Sequence, residues 1–278
     1  MLGQLGESAK FLAGGQSLIP LLKLRFANPD HLVDLNFIPG TSFIKEASGA
    51  LYFGAMTRHA EIENSDLAKK IPVLHDCAAG IADIQVRNRG TIGGSLAEAD
   101  PSGDWANALI TLDSTVHCRG PNGARSVPLK DFIKDAYTTE LAHDELVTEV
   151  EVKLPPKGSG GAYLAFKRTA PVYPSASAAV QLTLVGDVCQ RASIALGCVG
   201  LTAIRATEAE SVLRGKTLDD KTIAAAAEAA RAAADPQTDR RGSAEYKRAL
   251  VVALVKRAIH IAARRARGEQ VEGVHLYA

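Results

Sequence analysis

The sequence predicts an α+β protein of two domains, on three observations. The chain has 278 residues, and a single hydrophobic core rarely grows beyond roughly 250 residues. In the first half, short apolar runs that suit strands alternate with helical patterns, which indicates a mixed region. In the second half, three strand-like runs come first and helical runs follow, the order expected of a sheet with helices added afterwards.

The first segment predicts a strand, a glycine turn and a helix. Lys10–Ala13 is a short strand-like run that Gly14-Gly15 breaks, and Ser17 is placed to cap a helix ending at Leu24. Pro20 would lie in the first turn of that helix, where its missing N–H does no harm. This arrangement puts the two glycines at the entrance of the helix.

The rest of the first half continues the mixed pattern. Apolar residues recur at helical spacing from residue 73 onward, and Asn122-Gly123 is a strong hairpin signal. We expect strands at His31–Phe37, Leu51–Ala55, Thr115–Arg119 and Glu149–Leu154. We expect helices near His59–Asn64 with Thr57 as the cap, over Val73–Ile84 and over Trp105–Leu112.

The second half follows a stretch rich in proline and glycine. Pro155–Gly161 is the best linker candidate in the chain, so we place the domain boundary between residues 157 and 158. The predicted strands are Tyr163–Lys167, Ser177–Val185 and Arg191–Cys198, with a turn at Gly186-Asp187. The predicted helices are Thr207–Arg214, Lys221–Ala234 and Ala244–Arg267.

Composition and charge exclude several classes of function. Lysine and arginine total 32 and aspartate and glutamate total 31, so the excess positive charge of a dedicated nucleic-acid binder is missing. The four cysteines form no Cys-x-x-Cys pair and the histidines no His-Glu-x-x-His motif. A zinc site or iron–sulfur cluster on this chain is therefore not expected.

The same reading places the protein in the cytoplasm. The N-terminus lacks the basic start and apolar stretch of a secretion signal. The longest uncharged run, within residues 169–186, is broken by Pro171 and Pro174, so no membrane span is predicted. Free buried thiols fit a reducing compartment.

Two glycine clusters remain as candidates for a binding site. Ala13–Ser17 and Thr91–Ser95 each contain consecutive glycines beside hydroxyl side chains. Without a Cβ, backbone N–H groups can approach a ligand closely, and two such loops could hold one pyrophosphate between them. As bare patterns the clusters are weak signals, and both could be ordinary turns. Rossmann, P-loop and nucleophile-elbow motifs are missing from the sequence.

The residues around both clusters carry a family resemblance. Phe11–Arg25 resembles the first flavin motif of the flavoprotein medium subunits of molybdenum hydroxylases, the carbon monoxide dehydrogenase-like and xanthine dehydrogenase-like enzymes. Val86–Ala97, followed by Asp100 and Asp104, resembles their second motif, and Ser243–Arg248 resembles the end of the same family. The resemblance covers nearly the whole chain in the right order.

The resemblance implies a fold, a cofactor and a set of binding residues. The fold would be a p-cresol methylhydroxylase-type FAD-binding domain over residues 1–157, with subdomains of about 1–45 and 46–157, and a smaller sheet-plus-helices domain over 158–278. The glycine loops would wrap the pyrophosphate with backbone donors, Asp104 would meet the ribose region, and Lys167 would stabilise reduced flavin. The implied cofactor-binding residues are Ala13, Gly14, Gly15, Gln16, Ser17, Ile81, Ala82, Thr91, Gly93, Gly94, Ser95, Asp104, Leu146, Val147, Lys167 and Tyr173.

Several of these side chains also have ordinary structural interpretations. Asp104 could cap the following helix, Lys167 could be solvated on its strand, and Tyr173 could pack within its loop. Arg87 and Arg89 flank the second motif and could help to anchor phosphate, although arginines in such places more often make structural ion pairs. His59 and His75 are expected in packing or surface positions.

The resemblance further implies partners. A large subunit would carry molybdopterin and oxidise the substrate, and a small subunit would carry two [2Fe-2S] clusters. The assembly would be a dimer of heterotrimers, a heterohexamer, and this chain would pass electrons through FAD to an external acceptor without any catalytic side chain. Relatives usually begin roughly twenty residues earlier. The alternatives are a self-contained FAD-dependent oxidase for a small organic substrate and a scaffold that has lost the cofactor.

Overall fold

The computed structural model describes residues 5, 6 and 8–271. It begins with two short parallel strands and the helix that connects them: β1 (Ala9–Leu12), α1 (Leu18–Lys23) and β2 (His31–Asp34). Parallel strands need a crossover connection, which the glycine turn and α1 provide. Gly15 has a φ of +74°, a left-handed conformation that glycine adopts at little cost. The chain can therefore turn sharply from β1 into α1.

The next segment builds one antiparallel sheet and the helices that cover it. In chain order its elements are β3 (Ile44–Ala47), β4 (Ala50–Gly54), α2 (His59–Glu63), α3 (Asp66–Lys69), α4 (Pro72–Gly80), α5 (Ile84–Arg87), α6 (Ile92–Glu98), α7 (Trp105–Ile110), β5 (Thr115–Gly120), β6 (Gly123–Pro128), α8 (Leu129–Phe132), β7 (Ile133–Asp135), β8 (Thr138–Thr139) and β9 (Leu146–Lys153). The sheet order is β3-β4-β9-β5-β6. The last strand of the segment thus lies at the centre of its sheet.

The core of this segment lies between the sheet and its helices. Leu51 of β4 pairs with Val152 of β9, and Phe53 pairs with Val150, and all four side chains are buried. Trp105 of α7 belongs to the same apolar cluster. Alternate residues of each strand therefore face one core, as expected for a sheet that is covered on one face.

The C-terminal segment forms a second antiparallel sheet and then three helices. The strands are β10 (Ser159–Phe166), β11 (Ala176–Val185), β12 (Val188–Gly197) and β13 (Ile204–Arg205), and the helices are α9 (Thr207–Leu213), α10 (Asp220–Ala233) and α11 (Ala244–Ala266). The strands are ordered as they occur in the chain. This confirms the predicted order of strands first and helices afterwards.

The long helix α11 joins the two halves of the molecule. Ser243 caps it by accepting a hydrogen bond from the Tyr246 N–H at 3.1 Å. Near its other end, the Arg265 guanidinium contacts both carboxylate oxygens of Asp76 in α4, at 2.5 and 3.2 Å. Despite its 23 residues, neither α11 nor another helix within the described part of the chain is long and apolar enough to cross a membrane.

The predictions of one helix end, of the α2 cap and of the linker were wrong. The helix expected over residues 73–84 ends at Gly80, because Ala82 has a left-handed backbone with a φ of 40°. Thr57 does not cap α2, since its hydroxyl donates to the Phe43 carbonyl at 2.9 Å instead. The linker is shorter than expected, because its last three residues belong to β10. In that strand, a Cβ on Gly160 would lie 2.2 Å from the Ala262 carbonyl oxygen of α11.

Candidate functional site

One large cavity lies between the N-terminal strands and the rest of the molecule. Its volume is about 960 Å³, at the upper end of the range for small-molecule sites. Residues from both glycine clusters, from the chain after α4, from the start of β9 and from the chain after β10 line it. Every residue that the sequence predicts as cofactor-binding is among them: Ala13, Gly14, Gly15, Gln16, Ser17, Ile81, Ala82, Thr91, Gly93, Gly94, Ser95, Asp104, Leu146, Val147, Lys167 and Tyr173.

The first glycine loop presents free backbone donors to this cavity. Among the described residues, the N–H groups of residues 14–17 have no hydrogen-bond acceptor. Ser17 does not cap α1 as predicted, because its backbone is helical, with φ −101° and ψ −51°, and its side chain makes no capping bond. Its hydroxyl is thus available to a ligand. Unpaired donors at one turn make an anion-binding concavity.

The second glycine cluster has fewer free backbone donors than the first, because four of its five N–H groups already have acceptors within the described part of the protein. Thr91 caps α6, and its Oγ1 accepts a hydrogen bond from the Gly94 N–H at 3.1 Å. The Gly93 N–H donates to the Ala55 carbonyl at 2.9 Å, and the Ser95 N–H donates to the Thr91 carbonyl at 3.0 Å. The part of this cluster in holding a pyrophosphate therefore stays a prediction, with fewer N–H groups available than at the first loop.

Arg58 holds the two glycine loops together. Its guanidinium donates to the Arg89 carbonyl, just before the second cluster, and to Oδ1 of Asn36. Asn36 in turn donates from Nδ2 to the Ala13 carbonyl at 3.0 Å. A Cβ on Gly14 would lie 2.3 Å from the Arg89 carbonyl oxygen, so only glycine permits this approach.

The early end of α4 places Ile81 and Ala82 on the cavity wall. With Ala82 in a left-handed conformation, the chain leaves the helix axis and both residues border the cavity. Arg87 supports this bend by donating to the Ile81 carbonyl at 3.1 Å, and it pairs with Glu63 at 2.8 Å. The ion pair confirms the structural interpretation of Arg87.

Asp104 and Lys167 are two buried polar side chains on the cavity wall. Asp104 is only 6% exposed and Lys167 only 8%, so Lys167 is not solvated. Asp104 makes no capping bond to α7, and its carboxylate accepts a hydrogen bond from the Tyr163 hydroxyl. The Lys167 ammonium donates to the Gly80 carbonyl. Burial raises the pKa of Asp104, while the charge of Lys167 and the bond from Tyr163 oppose that rise.

Tyr173 shares another part of the wall with Asp100 and Tyr137. Both tyrosines are partly exposed, and burial followed by the negative charge of Asp100 raises the pKa of each phenol. Burial and Asp100 likewise raise the pKa of Glu98. Sequence reasoning missed Tyr137 and Tyr163, because neither lies in a motif. Asp100 stood inside the second flavin motif, which could have identified it.

His59 also lines the cavity, although the sequence suggested only packing or a surface position. It is 5% exposed, and its Nδ1 lies 3.1 Å from the Nε1–H of Trp105. Burial, followed by the charges of Arg58 and Arg87, lowers the pKa of His59 to about 3. The imidazole is therefore neutral near pH 7. His75, by contrast, lies partly exposed beside Asp76.

Two family models match the chain in succession. The FAD binding domain in molybdopterin dehydrogenase matches residues 1–155. The CO dehydrogenase flavoprotein C-terminal domain matches residues 161–262. Together they account for most of the chain, and the first includes both glycine clusters.

Individual proteins match over nearly their whole length. The carbon monoxide dehydrogenase medium chain of Hydrogenophaga pseudoflava is 41% identical over 94% of this chain and 92% of its own. The 6-hydroxypseudooxynicotine dehydrogenase complex subunit alpha of Paenarthrobacter nicotinovorans is 40% identical over 96% and 91%. Among solved structures, carbon monoxide dehydrogenase from H. pseudoflava lacking the Mo-pyranopterin moiety of its cofactor superimposes with a TM-score of 0.92, at 42% identity over 95% of this chain and 92% of the other.

Proposed function

The chain belongs to the FAD-binding medium subunits of the molybdenum hydroxylases, and we propose that it relays electrons from partner [2Fe-2S] clusters through FAD to an external acceptor. The observation that carries the proposal is the single cavity on which both flavin motifs converge. Its volume, its free N–H groups and the close contact of the two loops at Gly14 all suit a long anionic dinucleotide. Bound FAD supplies the redox chemistry, and the protein supplies binding, orientation and electrostatics.

In this proposal, different residues of the cavity bind different parts of FAD. The free N–H groups of residues 14–17 and the hydroxyls of Ser17 and Ser95 hold the diphosphate. Asp104 accepts hydrogen bonds from the ribose region. The isoalloxazine is bordered by Ile81 and Ala82, by Leu146 or Val147, and by Tyr173.

Lys167 has an electrostatic role in the same proposal. Its ammonium is fixed by the Gly80 carbonyl and shielded from solvent, so its charge acts through a poorly screened medium. A fixed cation favours negative charge near it. We infer that Lys167 makes reduction of the bound cofactor more favourable.

The wider assembly is also part of the proposal. The partners are a large molybdopterin subunit and a small subunit with two [2Fe-2S] clusters, arranged as a dimer of heterotrimers in the cytoplasm. The near-complete match to medium chains of such enzymes supports this arrangement. The domain boundary between residues 157 and 158 is likewise proposed, and it is consistent with the two family matches.

Purification of the tagged chain from its native host tests the proposal. We expect a yellow complex that contains molybdenum, iron and two further subunits, with two copies of each subunit by native mass spectrometry. Its FAD should be reduced when a substrate of the large subunit is added. A lone chain that oxidises a small organic donor by itself would instead support the self-contained oxidase, and a colourless chain would support the scaffold.

A further inference from the structure

The hydrogen bond between Trp105 and His59 determines where the imidazole carries its proton. An indole N–H can only donate, and it lies 3.1 Å from Nδ1 of His59. Nδ1 must therefore be the acceptor and carry no hydrogen. In a neutral imidazole the hydrogen is then on Nε2, which makes Nε2–H a donor.

The surroundings of His59 keep this imidazole neutral. The side chain is buried beside Arg58 and Arg87, and both effects disfavour a further positive charge. The backbone N–H of His59 donates to the Gly90 carbonyl at 3.1 Å. Both the orientation and the protonation state of the ring are thus fixed before any ligand binds.

The donor atom lies where the two glycine loops meet. A Cβ on Gly90 would be 2.6 Å from Nε2 of His59, so this edge of the ring lies directly against Gly90. The other side of Gly90 faces the first loop, since a Cβ on Gly14 would lie 2.8 Å from the Gly90 Cα. Gly90, Gly14 and His59 all line the cavity.

No acceptor for Nε2–H exists among the residues that the structure describes. Nε2 is open to the cavity and not sealed inside the protein, since Gln181 Oε1 is the one fully buried side-chain polar atom without a partner among the described residues. The N–H at Nε2 is therefore available to an acceptor that enters the cavity. The expected acceptor is an oxygen atom of a ligand held between the glycine loops.

We propose that His59 is a cofactor-binding residue, whose Nε2–H donates a hydrogen bond to the diphosphate of FAD. This inference rests on the proposed function, since it needs FAD in the cavity. A phosphate oxygen suits the site because the neighbouring loop already presents unpaired N–H donors to an anion. A neutral donor binds that anion without placing another charge beside Arg58 and Arg87.

Two amide substitutions separate the two ring nitrogens. His59→Asn keeps a polar atom near the position of Nδ1, where it can accept from Trp105, and removes the donor at Nε2. His59→Gln places an amide nitrogen near the position of Nε2 and keeps the donor toward the cavity. The measurement is the dissociation constant of FAD for the full chain after removal and re-addition of FAD, followed by flavin fluorescence.

We expect His59→Asn to weaken FAD binding about 10- to 100-fold, the usual loss for a hydrogen bond to a charged group. His59→Gln should remain within about threefold of the wild type. Unchanged binding by His59→Asn, or equal weakening by both variants, would overturn the inference. A wild-type chain that binds no FAD would overturn the proposed function as well, so the two failures are distinguishable.

If the variants fail to fold, the wild-type chain provides the test. Nitrogen-15 NMR of labelled histidine should show His59 as the neutral Nε2–H tautomer at pH 7. Its Nε2 and attached proton should shift on addition of FAD, as expected for a new hydrogen bond to phosphate. An Nδ1–H tautomer, or an Nε2 resonance that FAD leaves unchanged, would contradict the inference.

Discussion

Lys167 is a charged side chain that the fold keeps away from water. It donates to the Gly80 carbonyl at the end of α4, and the nearby carboxyl of Asp104 is held by Tyr163. The carbonyl and the carboxyl compensate part of the cost of burying the ammonium. The position of this cation is therefore set by the end of α4, which supplies the Gly80 carbonyl, and by β10, which Lys167 directly follows.

Substitution of Lys167 by methionine tests its electrostatic role. The variant keeps much of the side-chain length and removes the charge, so reduced FAD should be less stabilised. We expect the two-electron reduction potential of bound FAD to fall by roughly 30 mV or more, equivalent to about a tenfold change in the equilibrium. Spectroelectrochemical titration measures it. Lys153→Met, at the exposed end of β9, should leave the potential unchanged, and an equal shift in both variants would contradict the assignment.

The low pKa of His59, about 3 in the folded chain, predicts a pH dependence of stability. As the pH falls below about 6.5, the unfolded chain takes up a proton at this residue and the folded chain does not. The free energy of unfolding should therefore decrease between pH 6.5 and pH 3, by up to about 1.4 kcal/mol per unit from this group. The neighbouring guanidinium groups of Arg58 and Arg87 reinforce the effect, because they disfavour a positive charge on His59.

Urea unfolding of the wild type and of His59→Gln across that pH range measures this contribution. The difference in stability between the two proteins should shrink in the acid range, because the variant lacks the titrating group. A constant difference from pH 7 to pH 4 would mean that His59 takes up its proton over the same pH range in the folded and unfolded chains, which would contradict the lowered pKa.

The residues that the motifs mark as cofactor-binding lie around one cavity, whereas their hydrogen-bond partners were not predicted. Both glycine clusters, Asp104 and Lys167 were predicted on motif positions, and all of them line one cavity. The partner of Asp104 was not predictable, because Tyr163 lies 59 residues further along the chain and belongs to β10 in the C-terminal sheet. Local patterns report chain neighbours, whereas this hydrogen bond depends on how two domains pack.

Among contacts between elements, the ion pair of Arg265 and Asp76 connects α11 to α4 and so links the two halves of the molecule. Both side chains are nearly buried, at 9% and 2% exposure. Arg265→Ala should destabilise the protein by about 3–5 kcal/mol, since it leaves a buried carboxylate without its partner. Urea unfolding measures the loss.

The adjacent residue offers a matched control for that substitution. Arg264 pairs with Glu269 on the surface, with side chains about half exposed, and such pairs contribute roughly 1 kcal/mol or less. Arg264→Ala should therefore change stability little. Equal losses in both variants would show that the helix itself, rather than the buried pair, is responsible.

Element boundaries depended on tertiary structure more than on local pattern. Apolar spacing continued through Ile81 to Ile84, so periodicity predicted one helix where Ala82 breaks it. Pro155–Gly161 had the composition of a linker, yet Gly160 lies in a strand because α11 packs against its backbone. Strand and helix order in the second half was predictable because each element buries a regular apolar face.

For the molecule as a whole, the main functional feature is a cavity that suits a cofactor. The sequence offers no cysteine or histidine spacing for a metal centre, whereas its two glycine clusters meet at one cavity. In the proposed assembly the metal centres belong to partner subunits, and this chain provides the exit for electrons. In this proposal, FAD lies between the two glycine loops.

Gly94→Val tests the placement of FAD between the glycine loops. A Cβ at this position would lie 2.7 Å from Thr91 Oγ1 and 3.4 Å from the Ala13 Cβ, so valine intrudes where the loops face each other. The FAD content of the purified chain should fall from about one per chain to near zero, with the circular dichroism spectrum retained. Ala225→Val, on the exposed surface of α10, should keep its FAD. Full FAD content in Gly94→Val would contradict the placement of the cofactor between the glycine loops.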